Sequence, residues 1–160
     1  MKNPPDINND SRLRILIGGP AGKANEGFSA WASELDGITV VGTTTRILEA
    51  LNLAETLRPD AVLLDFEMTG YPLLHVVKLL TDTARPPAII VLAQQANPVV
   101  RRHCAEMGVD YVFEKNSDAG EIAHILQTLR DQKKYAGLGE TSPASSSGIT
   151  EHTPLKATAI

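Results

Sequence analysis

Apolar residues along this chain fall into two alternating rhythms: short unbroken runs, and stripes that recur every three to four positions. The runs are Leu13 to Ile17, Ile38-Thr39-Val40-Val41, Ala61-Val62-Leu63-Leu64, Ala88-Ile89-Ile90-Val91-Leu92 and Tyr111-Val112-Phe113. Runs this short and this apolar suit strands buried on both faces, as in a parallel sheet flanked by helices. The stripes lie between them: Ala24, Phe28, Trp31 and Leu35; then Ile47, Ala50, Leu51, Ala54 and Leu57; then Leu73 to Leu80. After the fourth run, Pro98 sits well at the first position of a helix running to about Met107 and closed by Gly108. Ile122, Ile125, Leu126 and Leu129 form the last stripe. Gly37 closes the first helix, Pro59 stops the second, and Pro86-Pro87 ends the connection after the third. Strand and helix thus alternate from Leu13 onward, which predicts an α/β domain with a doubly wound parallel sheet covered on both faces.

The ends read differently. Residues 1–12 are polar, carry Pro4 and Pro5, and are expected to be a disordered lead-in rather than a signal peptide. Residues 136–160 are Gly, Ser, Thr, Pro and Ala with few large apolars, too little to bury, and are expected to be a disordered tail. That leaves residues 13–135 as the folded domain, with a tail too short for a helix-turn-helix domain.

Composition narrows the function classes. The 160 residues are 42% hydrophobic and 21% charged, with a net charge of −4, which argues against a nucleic-acid surface. No apolar run approaches the roughly 20 residues that span a bilayer. A single cysteine, Cys104, forms no internal disulfide and fits a reducing compartment, so the expected location is cytoplasmic, with no membrane partner. His75, His103, His124 and His152 are scattered over different elements and support no metal cluster. Cys104, among apolar neighbours, reads as a small core residue.

Chemistry is suggested first by Asp65. A strand buried on both faces has little reason to end in a carboxylate unless the chain emerges there at the carboxyl edge of the sheet, where open α/β sheets place their ligands. A capping role for Asp65 in the next turn is the plainer reading of that residue alone.

With the elements in order, the chain resembles the receiver domain of bacterial two-component response regulators. The resemblance runs from Leu13 to Gln132 and is carried by Val40-Val41-Gly42, Leu57-Arg58-Pro59-Asp60-Ala61-Val62-Leu63-Leu64-Asp65, Ile90-Val91-Leu92, and Gly108-Val109-Asp110-Tyr111-Val112-Phe113-Glu114-Lys115. It implies the flavodoxin-like (βα)5 fold with strand order 2-1-3-4-5. It also implies a site in which an Asp ending strand 3 accepts a phosphoryl group and an acidic pair ending strand 1 holds Mg²⁺. There, a Thr or Ser ending strand 4 binds the phosphoryl oxygen and a Lys ending strand 5 balances charge. The logic is electrostatic: an anionic carboxylate attacks an anionic donor only when cations offset the repulsion.

By that pattern Asp65 takes the acceptor position and Lys115 the Lys position. The acidic pair falls on Gly18 and Gly19, and the Thr/Ser position on Ala93. The aromatic switch position falls on Val112, flanked by Tyr111 and Phe113. Asn116 stands where the family commonly has Pro, and the turn after the acceptor reads Met68-Thr69-Gly70. With both strand-1 carboxylates gone, Asp65 and nearby Glu67 make a poor Mg²⁺ site, so no cofactor is expected and metal binding is expected to be weak or absent. Lys115 is then the cation expected to pair with Asp65. The resulting expectation is a stand-alone atypical receiver, a pseudo-receiver, that is not an enzyme and signals by protein–protein contact. Its expected partners are a histidine kinase, another response regulator, or itself as a homodimer.

Two alternatives stay open. In one, Asp65 is still phosphorylated as part of a phosphorelay. In the other, more remote, Gly18-Gly19-Pro20-Ala21-Gly22-Lys23 cradles a nucleotide or small anion, although the spacing is one residue short of a phosphate loop and Ala24 replaces the metal-binding hydroxyl. Arg101 and Arg102, early in the fourth helix, form a candidate partner face, with a solvated helix face as the plainer reading. Lys133-Lys134 favour a helix C-terminus, and Ser145-Ser146-Ser147 reads as solvated tail.

Overall fold

The computed structural model describes residues 11–20, 22–68, 72–115 and 119–138. Residues 1–10, Ala21, residues 69–71, which include Thr69 and Gly70 of the turn after Asp65, residues 116–118, which include Asn116, and residues 139–160 lie outside that set, and with them most of the lead-in and of the tail. Ten elements alternate: β1 (Leu13–Gly18), α1 (Lys23–Ser33), β2 (Ile38–Thr44), α2 (Ile47–Leu57), β3 (Ala61–Asp65), α3 (Leu73–Thr81), β4 (Ala88–Ala93), α4 (Pro98–Met107), β5 (Tyr111–Glu114) and α5 (Ala119–Leu138). The strands form one parallel sheet in the order β2-β1-β3-β4-β5, the flavodoxin-like arrangement.

The strand alternation explains the two cores. Leu16, Val62, Leu64 and Val91 face one way and pack with Ile47 and Ala50 of α2, Val76, Val77 and Leu80 of α3, and Cys104 of α4. Ile15, Ile17, Leu63 and Ile90 face the other way, against Ala32 of α1 and Ile122 and Leu126 of α5, with Phe28 and Trp31 covering the margin. The Phe28 and Trp31 rings meet edge to face, with centroids 5.2 Å apart. Every residue of β3 is buried, as befits the central strand.

Boundaries follow local chemistry. Asn97 caps α4 through a hydrogen bond donated by Val100 N at 2.9 Å, with Pro98 at the first helical position. Arg58 ends α2 in the left-handed region (φ 53°) just ahead of Pro59. β2 runs beyond Val41 to Thr44, and its pairing with β1 shifts register between Ile15 and Leu16. α5 continues past Tyr135 to Leu138.

Gly108 closes α4 at φ 104°, and a Cβ there would lie 2.6 Å from Thr81 Cγ2. Gly108→Ala is therefore expected to cost about 1–2 kcal/mol, read as a lower urea midpoint at unchanged slope.

Candidate functional site

The carboxyl ends of β1, β3, β4 and β5 converge because parallel strands joined by helices all emerge at the same edge. β3 delivers Asp65 there with its side chain 12% exposed. Asp65 Oδ1 accepts a hydrogen bond from Glu67 N at 2.8 Å, and its carbonyl accepts one from Met68 N at 3.0 Å. These two bonds curl the chain back immediately after the strand, so Asp65 caps the turn that follows it. Phe66 N donates to Leu92 O at 2.7 Å and ties the same turn to β4.

Lys115 follows β5 and is anchored by its own N–H, which donates to Ala93 O at 2.9 Å. Its Nζ lies 3.0 Å from Asp65 Oδ2 and 3.3 Å from Glu67 Oε1, so one ammonium bridges both carboxylates. Partial burial works to lower the Lys115 pKa. The hydrogen bond and charge of Asp65, then those of Glu67, outweigh it and hold the ammonium above its ordinary value.

At the strand-1 positions the side-chain oxygens are missing. Gly18 pairs with Leu64 and Thr44 and is buried. A Cβ there would meet Leu64 Cδ2 at 3.0 Å and Met68 Cε and Sδ at 3.1 Å. The space beside Gly18 is thus filled by an apolar side chain from the turn after Asp65. Gly19 is buried too, and its N–H donates to Thr44 O at 3.0 Å. Gly18 belongs to the strand rather than to an open loop, so the Gly18–Gly22 segment presents its first glycine to the core and not to a ligand. Ala21 and the side chains of Lys23 and Ala24 lie outside the described residues.

Ala93 ends β4 fully buried, with only a methyl group where the resemblance implies a hydroxyl. Val112 is buried on the side of α2, α3 and α4, whereas Tyr111 and Phe113 are buried on the side of α1 and α5. The aromatics flanking the switch position therefore point away from α4, as alternation in a strand requires. Burial, and then the charge of Asp110, push the Tyr111 phenol up. Cys104 is fully buried and its thiol is likewise pushed up by burial, so it stays unreactive.

The two arginines of α4 do different things. Arg101 folds back, donating from Nε to Ala96 O at 2.6 Å and from Nη1 to Val112 O at 3.3 Å. Arg102 is exposed and, with Val99, His103 and Glu106, lines a shallow depression on α4. Two further residues of this edge were invisible to the sequence pattern. Glu114 Oε2 accepts a hydrogen bond from Ala96 N at 3.1 Å. Thr44 is buried at the end of β2, with its hydroxyl hydrogen-bonded to the Glu49 carboxylate and accepting from Arg46 N at 3.1 Å. Both are the last residue of a strand at this edge, a placement that does not by itself give their partners. A cavity of about 510 Å³ lies at the opposite edge, among Arg58, Pro59, Asp60, Arg85 and Pro86, and takes no part in this constellation.

The fold and edge described above define a class, and comparison with known proteins agrees with it. Among solved structures, the receiver domain of the response regulator NarL from Mycobacterium tuberculosis superposes with a TM-score of 0.70 at 22% identity, covering 75% of this chain and 97% of that one. The response regulator domain of Thermotoga maritima CheB superposes at 0.65 and 19% identity, over 77% and 97%. At such identities the likeness is one of fold. The family model described as response regulator receiver domain matches residues 25–127. The chain belongs to the response regulator receiver domain family, a family of signalling modules of two-component systems.

Among curated proteins, the positive alginate biosynthesis regulatory protein of Pseudomonas aeruginosa is 35% identical over 79 residues, which is 49% of this chain and 32% of that protein. The transcriptional regulatory protein BtsR of Escherichia coli is 25% identical over 121 residues, 76% of this chain and 49% of that protein. The chain thus spans half or less of the length of these relatives. Among the described residues, no helix is long and apolar enough to cross a membrane.

Proposed function

We propose that this chain is an atypical receiver, a pseudo-receiver, whose Mg²⁺-dependent phosphorylation is impaired or absent and whose output is protein–protein contact. One observation carries this reading: the cation at the acceptor carboxylate is the Lys115 ammonium, bridging Asp65 and Glu67, while the strand-1 positions are Gly18 and Gly19. Mg²⁺ demands near-octahedral oxygen ligation through one or two carboxylates and dehydrates reluctantly. Here it would have to displace a bound ammonium from Asp65 and Glu67 with no carboxylate from β1 to help. The residues present do not fit the ion. The methyl group of Ala93 likewise offers a phosphoryl oxygen no hydrogen bond.

In this reading the chain is not an enzyme and works in the cytoplasm. Its partner is a histidine kinase, another response regulator or a second copy of itself, and it engages neither nucleic acid nor membrane. The exposed depression around Arg102 is the candidate partner face. The second reading, a phosphorelay receiver modified on Asp65, is favoured by the retained Asp65–Lys115 pair at the carboxyl edge.

A two-dimensional amide NMR titration of the full chain with Mg²⁺, then beryllofluoride, separates the two, with Asp65→Asn as control. No saturable shifts at millimolar Mg²⁺ are expected. Saturable shifts at Asp65, Lys115 and α4 that vanish in Asp65→Asn would establish the phosphorelay reading instead.

A further inference from the structure

We infer that Glu114 and Arg101 brace the connection between β4 and α4 in a single position that does not depend on the chemistry of Asp65. This inference rests on the reading above only for its biological meaning; the brace itself is a matter of hydrogen bonds.

The connection from Ala93 to Pro98 turns on Ala96, which is 4% exposed. Both backbone polar groups of that residue are taken by side chains. Its N–H donates to Glu114 Oε2 at 3.1 Å, and its carbonyl accepts from Arg101 Nε at 2.6 Å. Glu114 ends β5, and Arg101 sits in the first turn of α4, so the two grips come from opposite sides of the connection. Arg101 also donates from Nη1 to Val112 O at 3.3 Å, which ties the start of α4 directly to β5. Its own N–H donates to Asn97 O at 2.9 Å, and Asn97 caps the helix. A buried backbone group that loses its partner bears the desolvation cost of that group, so each grip resists displacement of the loop.

The Asp65 constellation uses none of these side chains. The Lys115 ammonium bridges Asp65 and Glu67, and the Ala93 methyl group has no hydrogen bond to offer either system. A change in charge at Asp65 therefore has no side-chain hydrogen bond through which to pull the β4–α4 connection. The start of α4 is positioned by β5 and by its own first turn, and the surface carried by α4 is presented continuously. Glu114 and Arg101 are positioning residues for that surface.

The test is amide hydrogen exchange and relaxation dispersion on the full chain, comparing Glu114→Ala, Glu114→Gln and Asp65→Asn. Glu114→Ala is expected to speed exchange at the Ala96 amide about tenfold or more and to broaden residues 96–100. Glu114→Gln keeps an acceptor oxygen and is expected to restore protection. Asp65→Asn is expected to leave Ala96 and α4 unchanged. The brace is overturned if Glu114→Ala leaves Ala96 exchange as in the parent, or if Asp65→Asn loosens α4 to the same extent. Beryllofluoride binding at Asp65 with α4 unmoved would defeat the proposed loss of phosphorylation and leave the brace standing. Beryllofluoride binding that displaces α4 would defeat both.

Discussion

Lys115→Ala is expected to lower the stability of the domain by about 1–3 kcal/mol at neutral pH. Breaking a fully buried ion pair by removing one partner costs about 3–5 kcal/mol, whereas exposed pairs contribute about 0–1 kcal/mol. With the Lys115 side chain 26% exposed and that of Asp65 12%, this pair lies between those limits. Removing the ammonium leaves two carboxylates, Asp65 and Glu67, facing each other without a counter-charge. Asp65→Asn in the Lys115→Ala background is expected to recover part of the loss, and the double-mutant cycle isolates the pair. The effect also has a defined pH window. The Lys115 pKa is raised on folding, above its ordinary value of 10.5, so its contribution is fully present below the unfolded pKa and is lost as pH rises through the folded one. The stability difference between parent and Lys115→Ala should be flat between about pH 7 and 9 and shrink above about pH 10.5. Chemical denaturation across that range reads it directly. An unchanged midpoint at pH 7 would show that the pair contributes nothing.

Placing acidic residues at the end of β1 should have a larger and conditional effect. Gly18→Asp combined with Gly19→Asp brings two more carboxylates to an edge where Lys115 is already shared between two. Without divalent cation the variant is expected to lose about 2 kcal/mol or more by like-charge repulsion and desolvation. A Cβ at position 18 would need a few tenths of an ångström from Leu64 Cδ2 and the Met68 thioether, both at the free ends of side chains, and the carboxylate beyond it would have to displace the Met68 end. With Mg²⁺ present the same carboxylates become ligands. At about a hundredfold excess over Kd, binding to the folded state adds about 2.7 kcal/mol, enough to offset the loss. The variant's melting temperature should therefore climb with Mg²⁺ while that of the parent stays level. A parent melting temperature that climbs as steeply would mean that the edge binds Mg²⁺ without help from β1, and the reading of Gly18 and Gly19 would fall.

The fold was legible because its signals are local. The run Ala61 to Leu64 closed by Asp65 coincides with β3, and the Pro98-to-Met107 stretch with α4, since an apolar run, a proline and a closing glycine are each read without knowing what packs on them. The apolar signal of β2 stops at Val41 because Gly42-Thr43-Thr44 lacks an apolar run, yet parallel pairing with β1 carries these residues along in the sheet. Composition shifts after Tyr135 while the last helix runs on to Leu138, because composition does not end a helix until a residue refuses the conformation. The position of Asp65 follows from the strand it ends, and that of Lys115 from the resemblance to receiver domains. Arg101 and Glu114 could not be placed that way. Both act on the backbone of Ala96, in a connection whose path depends on where α4 docks, and no periodicity encodes that path.

Far from the site, at the amino edge of the sheet, two carboxylates sit just ahead of strands. Asp60 Oδ2 accepts from Arg14 N and from Lys133 Nζ, each at 2.8 Å, and Asp110 Oδ2 accepts from Ile89 N at 2.8 Å. Each pins one strand to its neighbour in register, and Lys133 adds α5 to the first of them. The alignment of β1 with β3 and of β4 with β5 is thus secured where no phosphoryl chemistry takes place. Replacement of residues at the other edge, such as Gly18, Gly19 or Ala93, leaves these pins untouched. A scaffold pinned in this way holds its strands in register whatever side chains its carboxyl edge carries.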